Sequence, residues 1–475
     1  MGTAMTGVST LSEARGAGLK YTKKRGGGKM RKRGFTAFVA LWAVAFCMTV
    51  TAWAGNVDTY GIGAKATALG GAFSAYADDP FAIYYNPAGL TQIKQPMISA
   101  GANVIKPVLR VDDYRVTGMN AAVTDDVGPA DMYDQSRLLV VPHLGFTMPV
   151  GKGFSAGIAA YVPFGLDIQW KHDVPASGYC GNPGAYNSYR SWYMREVVTP
   201  TVAYRFNDYW SIGAGISLGK TRSGVERLMF APSVAALHNK RVLTDLDDDF
   251  NWSFNVGLMF RPAKSLAMGL TYRGKTDTDL EGTTEVRGIK GIPNSKVHAK
   301  TEIDSPDQIQ AGIRYMPSDR ISVEADLVWT HWSTVKSYTV KFDRPLLGSV
   351  SSEYFPRDWD DTYQLRLGAE WKVNGTFTLR GSYFYDPTPI PDDTLDLQWP
   401  DADKHTFALG TGLSFGNLSI DTTIQYTWIQ SRQLQVNGES GNLNNAYHNG
   451  GGSPGVSLEA DGHLWGGALT MNYQF

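Results

Sequence analysis

Residues 465–475 read WGGALTMNYQF. The odd positions are Trp465, Gly467, Leu469, Met471, Tyr473 and Phe475, and the even positions are Gly466, Ala468, Thr470, Asn472 and Gln474. Strand side chains alternate between faces, so this run offers one apolar face and one small or polar face. The last strand of a membrane barrel needs that pattern, with lipid on one side and the lumen on the other. A half-buried strand of a soluble sandwich alternates too. The membrane reading gains because the pattern recurs upstream with no helix-period segment between.

Working outward, Tyr363, Leu365, Leu367, Ala369 and Trp371 alternate with Gln364, Arg366, Gly368 and Glu370. Across Asn374-Gly375 follow Phe377, Leu379, Tyr383 and Tyr385 with Thr378, Arg380 and Ser382 between them. Ile321 to Trp329 and Trp252 to Phe260 repeat the alternation. Six tight turns stand out, near Gly151-Lys152, Asn207-Asp208, Pro262-Ala263, Pro317-Ser318, Asn374-Gly375 and Gly416-Asn417. Each carries Gly, Pro, Asn or Asp, which supply the dihedrals hairpins require. Six turns join twelve strands. With one strand before them, near 97–108, and the final one, the count is fourteen, an even number as in most bacterial barrels. The connections between these hairpins are long: 110–135, 165–191, 222–249, 275–306, 331–360, 386–403 and 431–462. Short turns on one rim and long loops on the other match periplasmic and extracellular sides. Residues 336–342 read as a ribbon inside a loop, because counting them would break the parity. The fold class is therefore an all-β transmembrane antiparallel barrel of about 14 strands.

The front of the chain supports an envelope location. A basic run, Lys29-Met30-Arg31-Lys32-Arg33, precedes the apolar residues 35–52, which end at Ala52-Trp53-Ala54. That order describes a secretory signal peptide cut after Ala54, the alternative being a single anchoring helix. Residues 1–29 then read as an upstream extension, with Met30 an alternative start. The leader carries nine Lys/Arg against one Glu, so the formal charge of −1 becomes −9 without it. The basic run belongs to the leader, and no nucleic-acid partner is expected. Of two cysteines, Cys47 lies in the leader, so Cys180 has no partner for an intrachain disulfide. A mean hydropathy of −0.23 with 19% charged residues excludes a bundle of membrane helices.

Between leader and strands lies 55–93, GNVDTYGIGAKATALGGAFSAYADDPFAIYYNPAGLTQI, rich in Gly and Ala. Gly61-Ile62-Gly63-Ala64-Lys65-Ala66 has the form of a dinucleotide fingerprint. No strand precedes it, so small residues packing a plug inside a barrel explain it better. Asp78-Asp79 read as a helix cap or an anchor to inward arginines rather than a metal site. Proline in Asn86-Pro87 pushes Asn86 out of the helical region, so a turn or break must fall there.

Taken in order, Ala64-Lys65-Ala66-Thr67-Ala68-Leu69-Gly70-Gly71-Ala72-Phe73, Ala77-Asp78-Asp79-Pro80 and Asn86-Pro87-Ala88-Gly89-Leu90 resemble the FadL-type family of outer membrane transporters for long-chain fatty acids and toluene-like hydrocarbons. Trp329-Thr330-His331-Trp332-Ser333, Trp359-Asp360-Asp361-Thr362-Tyr363, Asp386-Pro387-Thr388-Pro389-Ile390-Pro391-Asp392 and Pro400-Asp401-Ala402-Asp403-Lys404 extend the resemblance over all of 55–475. It implies a fourteen-stranded barrel (94–475) closed by an N-terminal hatch (55–93). It also implies passive uptake: loops capture a hydrophobic ligand, an inner pocket receives it, and it leaves sideways where a strand kinks. Each methylene removed from water is worth about 0.8 kcal/mol, so a dry route into the bilayer suits such a ligand better than a water-filled pore. The hatch segment Asn86, Pro87 and Ala88 is then the gate, the alternative being an ordinary turn. The expected partners are a hydrophobic small molecule and outer membrane lipid or lipopolysaccharide, with the protein a monomer in a Gram-negative outer membrane. No cofactor, metal or catalytic residue is expected.

Leu228, Met229, Phe230 and Leu237, partly at helical spacing in an outer loop, are candidates for a capture groove, or else pack on neighbouring loops. Inward-phased Arg314, Arg366 and Arg380 either meet a ligand carboxylate or form a charge network with Glu324, Asp326 and Glu370. Gly157 in the third strand is a candidate for the kink, since glycine in a strand often marks a bend. A general diffusion porin or structural barrel is the main rival. A hydrolase lacks a Ser–His pair at the rim.

Overall fold

A computed structural model describes residues 61–475 except 290 and 438–440. The leader, its cleavage site and the upstream extension lie outside the described residues, as does the start of the 55–93 stretch. No helix among the described residues is long and apolar enough to cross a membrane. Nineteen strands among the described residues do the building: β1 (Met97–Met119), β2 (Val127–Tyr133), β3 (Leu139–Gly151), β4 (Phe154–Gln169), β5 (Arg190–Arg205), β6 (Trp210–Leu228) and β7 (Arg241–Ala263) come first. They are followed by β8 (Leu266–Arg273), β9 (Leu280–Val286), β10 (Lys296–Thr301), β11 (Gln308–Ser318), β12 (Ile321–Thr330), β13 (Ser337–Leu346) and β14 (Val350–Pro356). The last are β15 (Thr362–Lys372), β16 (Phe377–Asp386), β17 (Lys404–Phe415), β18 (Leu418–Val436) and β19 (Gly452–Gln474).

Fourteen of them close an antiparallel ring, β1-β3-β4-β5-β6-β7-β8-β11-β12-β15-β16-β17-β18-β19 and back to β1. The seam pairs Met97 with Gln474 and Lys106 with Trp465, so the alternating run that opened the sequence reading is the closing strand. The six turns fall between β3/β4, β5/β6, β7/β8, β11/β12, β15/β16 and β17/β18, within about two residues of their expected places. β13 and β14 form the ribbon expected inside a loop. β2, β9 and β10 were not foreseen. β2 pairs on the loop end of β1, β9 on that of β7, and β10 on β9, extending the wall beyond the membrane.

Alternation is clear in the membrane band. Leu365 and Leu367 are exposed outward while Gln364 and Arg366 are buried inward. β12 has ten residues. At about 3.4 Å per residue and a tilt near 40°, it gives roughly the 25 Å apolar band a bilayer demands. Exposed aromatics ring the turn side (Phe154, Trp210, Tyr315, Trp371, Phe415, Tyr473) and recur on the loop side (Trp252, Tyr363, Trp428, Trp465).

Several strands run further into the loops than expected. β1 continues through Val111, Tyr114 and Val116, buried on the lumen side, while Asp112, Asp113 and Arg115 face outward with a bulge between Asp112 and Arg115. Above the bilayer the outer face meets water, so apolar residues face in and the lipid-type pattern inverts. The stretch 222–249 is likewise the ends of β6 and β7 around a compact turn, not a helix.

Candidate functional site

The hatch fills the lumen at the turn-side end, and nearly all of residues 61–93 are buried. It consists of helical turns Ala64–Ala68 and Ala82–Tyr85 and a 3-10 turn Pro87–Gln92. The first turn packs on β16–β19 and the 3-10 turn on β4–β7, so the hatch reaches across the ring. Small residues in the hatch find matching small residues in the wall. A Cβ on Gly410 would lie 2.4 Å from Ala68 Cβ, and one on Gly269 would lie 2.2 Å from the Ser74 carbonyl oxygen. Gly70 and Gly71 both have positive φ, 64° and 73°, and Gly71 passes close under the Arg366 guanidinium. A side chain there meets both strain and a clash.

Asn86 is extended (φ −163°), as the following proline requires. Its Oδ1 accepts from the Ala88 N–H at 3.1 Å. Its Nδ2 donates to the Ser74 carbonyl at 2.7 Å and to the wall at the Leu258 carbonyl, 3.1 Å. Pro87 sits over two wall glycines: a Cβ on Gly213 would be 2.4 Å from Pro87 C, and one on Gly257 would be 2.1 Å from Asn86 Oδ1. The Asn86-Pro87-Ala88 segment thus occupies a niche cut into β6 and β7, bridged to the rest of the hatch by one amide side chain.

The other side of the hatch is held by charge. Asp326 accepts from the Ser74 N–H (3.1 Å), Glu324 from the Ala75 N–H (2.8 Å), and Glu370 from the Tyr76 hydroxyl (2.6 Å). Arg380 bridges Glu370 (2.9 Å) and Asp421 (2.7 Å). The Arg314 guanidinium stacks 3.4 Å from the Tyr76 ring centre, and Arg366 donates to Gln364. The three inward arginines therefore surround the hatch rather than the upper lumen. Within the hatch, Lys65 pairs with Asp78 at 3.0 Å, and Asp79 accepts from the Phe81 N–H at 2.9 Å. Burial pushes the Asp79 carboxyl up to about 7 against the pull of Lys65.

Above the hatch lies a narrow hollow lined by Tyr84, Tyr161, Phe164, Arg195, Arg273 and Gln308. Its free volume, about 30 Å³, is little more than one water. Arg195, 3% exposed, donates to Asn251 (2.8 Å) and Ser253 (3.2 Å). Arg273 donates to Gln308 and Gln310, both at 3.0 Å, and stacks on Tyr84. Neither has an acidic partner among the described residues. Both were missed in the sequence. The available signal was phase, since Tyr193, Arg195, Val197 and Thr199 share the inward face of β5.

This hollow borders a break in the wall. β3–β4 pairing ends at Leu144–Ala160, while β4 continues beside β5 alone, with a register shift between Tyr161 and Phe164. Residues Leu139–His143 of β3 pair only with β1. Beyond the break the wall closes again, where the Gln135 N–H donates to the Gln169 carbonyl (2.6 Å) and the Lys171 N–H to that of Tyr133 (2.9 Å). Pro142 and Pro163, one on each side, supply no N–H to mend the seam. Gly157 lies below it, paired with Thr147 and Thr201, and a Cβ there would lie 3.1 Å from Ile83 Cδ1 of the hatch.

The four outer-loop candidates separate. Leu228 and Phe230 are buried toward the lumen, Phe230 among Tyr186, Tyr447 and His238 at 5.0–5.7 Å. Met229 packs on the opposite cluster of Val242, Val286, Val297 and Leu346, and Leu237 lies half-buried in the turn after β6. Leu228 closes β6 and the other three lie in the turn beyond it, so no helical face gathers them. A second hollow in the outer mouth is lined by Leu166, Trp192, Leu246, Ile303, Tyr338 and Trp399.

Residues 44–475 match the family described as outer membrane protein transport protein (OMPP1/FadL/TodX). The chain is 22% identical over 454 residues to the long-chain fatty acid transport protein of Escherichia coli (strain K12), covering 86% of this chain and 93% of that one. It is 24% identical over 468 residues to alkane uptake protein A of Marinobacter nauticus, covering 93% and 96%. Its fold matches a Pseudomonas aeruginosa FadL homologue at TM-score 0.72 (20% identity, 89% of this chain, 99% of that one). It also matches the Pseudomonas putida toluene transporter TodX at TM-score 0.62 (16% identity, 88% and 99%). The closed fourteen-strand ring, the hatch within it and the match over residues 44–475 agree: the chain belongs to the OMPP1/FadL/TodX family and is a transporter, not an enzyme, in the outer membrane of a Gram-negative bacterium.

Proposed function

We propose that this transporter takes up hydrophobic molecules carrying an anionic head, of the long-chain fatty acid class. The ligand enters the outer hollow, passes to the inner one, and leaves sideways through the break between β3 and β4. The observation that carries this reading is Arg195. A guanidinium buried at 3% exposure that hydrogen-bonds only neutral side chains, with Asp248 reaching it only through Asn251, faces the hollow beside the break. Arg273, on the hatch side of the same hollow, adds a second cation. A carboxylate arriving there gains charge-assisted hydrogen bonds while its chain lies along Tyr161 and Phe164. The hatch segment Asn86-Pro87-Ala88 moves with the ligand, opening the hollow beneath Tyr84. The lateral opening is placed at Tyr161–Phe164, and Gly157 serves the hatch seat. Arg314, Arg366 and Arg380 brace the hatch. The barrel works as a monomer embedded in lipid and lipopolysaccharide.

The test is binding of oleate, hexadecane and toluene to the purified barrel, with Arg195→Met as the variant. Losing a buried charge-assisted contact of about 1.5–3 kcal/mol should weaken oleate roughly 10–100-fold and leave hexadecane unchanged. Equal loss for both, or tight binding of toluene alone, would point to a neutral hydrocarbon as the cargo.

A further inference from the structure

The connection between β16 and β17, residues 387–403, does not lie over the rim. It turns inward, and residues 394–399 are all buried. Four separate parts of the barrel hold this strap. Ser191 on β5 donates to the Gln398 carbonyl at 2.7 Å. Tyr338 on β13 donates to Gln398 Oε1 at 3.2 Å, and the Leu397 N–H donates to Asn187 at 2.8 Å. The Trp170 indole donates to the Leu397 carbonyl at 3.4 Å.

One buried ion pair organises it. Arg357 Nη1 donates to Asp396 Oδ2 at 2.8 Å, with side chains 1% and 0% exposed. Asp396 Oδ1 in turn accepts from the N–H groups of Gln398 (3.0 Å) and Trp399 (2.9 Å), fixing the turn that presents Trp399. Arg357 also donates to the Tyr338 hydroxyl at 2.8 Å.

Trp399 lands on Tyr193, ring centres 5.4 Å apart, and Tyr193 is tied across the lumen to Ser305 at 2.9 Å. Along β5 the outer hollow touches Ser191 and Trp192 while the inner one touches Arg195, so Tyr193 stands between them. Each hollow has about 30 Å³ of free volume, which admits no acyl chain. Something must move, and the strap both lines the outer hollow and contacts the residue dividing the two without belonging to the barrel wall.

Resting on the uptake reading above, we propose that the strap is a second gate, and that Trp399 against Tyr193 sets which ligands pass from the outer to the inner hollow. Arg357 and Asp396 are its positioning residues. A ligand entering the outer hollow displaces Trp399, the strap swings on its Pro-rich flank (Pro387, Pro389, Pro391), and the hollows merge.

The full chain carrying Cys180→Ser, Ser191→Cys and Gln398→Cys, joined by a short reducible thiol crosslinker, tests this. Oleate uptake should fall to that of cells lacking the protein and return when reductant cleaves the link. Undiminished uptake by crosslinked protein would overturn the gate. Trp399→Ala should raise uptake of branched or ring-bearing acids relative to oleate, and an unchanged ratio counts against a selecting role. Spin labels at Asp393→Cys and Ser352→Cys, in the same Cys180→Ser background, report on the strap without transport. A longer distance appearing on oleate addition supports the gate, and one fixed distance refutes it. If the uncrosslinked parent takes up no oleate, the uptake reading fails and the label distances decide the strap alone.

Discussion

At the scale of single residues, the hatch shows how burial and close contact set function. Asp79 is buried with a carboxyl raised to about 7, whereas an exposed aspartate titrates near 4. The seated hatch therefore binds this proton more tightly than the released one. Its seating is strongest at low pH, weakens as pH rises from about 4 to about 7, and is level above that. Infrared difference spectra should show a protonated carboxyl titrating near pH 7 that Asp79→Asn removes. Gly257 is the opposite case, a residue defined by what cannot be there. A side chain at Gly257 meets Asn86 Oδ1 at 2.1 Å, and overpacking of this kind costs about 1–3 kcal/mol. Gly257→Leu should unseat the Asn86-Pro87-Ala88 segment, giving steady ion conductance in planar bilayers where the parent is silent. The inward phase of Arg314, Arg366 and Arg380 was legible in the sequence. The pairing of Arg380 with Glu370 was legible too, but the hatch contacts of Arg314 and Arg366 were not, because Tyr76 and Gly71 lie about 240 and 295 positions earlier in the chain.

At the scale of elements, the informative departures are where pairing stops or continues unexpectedly. The β3–β4 break depends on two prolines and a register shift, none of which disturbs the alternating pattern that marks a strand. Stapling it should separate binding from release. A disulfide between Val141→Cys and Tyr161→Cys, placed across the unpaired stretch in the Cys180→Ser background, is expected to abolish delivery into the membrane, while the same variant after reduction binds oleate in detergent as tightly as the oxidised one and delivers it. Delivery that persists would move the exit elsewhere. The loop-side strands were hidden for a different reason. A sequence pattern tuned to lipid outside and polar inside inverts once the outer face meets water, so the ends of β1, β6 and β7 read as loop.

For the whole molecule, a closed ring pairs its strands on both sides in the membrane band, the β3–β4 break apart. That leaves the lumen free to be filled by the hatch. The hatch is seated by polar contacts, by glycine niches and by an apolar cluster that joins Phe81, Ile83 and Tyr84 to Ala159, Tyr161, Val197 and Met259 of the wall. Transfer of ligand from water to bilayer is downhill by about 0.8 kcal/mol per methylene, so no coupled energy source is needed. Uptake into de-energised cells should match that of energised cells in initial rate, and a rate that collapses with the membrane gradient would refute the passive route.

The fourteen strands, their turn rim, the hatch segment and its proline break follow from the sequence alone. Alternation and turn chemistry are local, and a two-residue period decides which face each side chain takes. Tertiary structure alone decided what those faces meet. The ring brings Asp326 to Ser74, Gly257 to Asn86, Trp399 to Tyr193 and Arg195 to Asn251. Contacts between residues so far apart in the chain are set by barrel closure, to which no local pattern is sensitive.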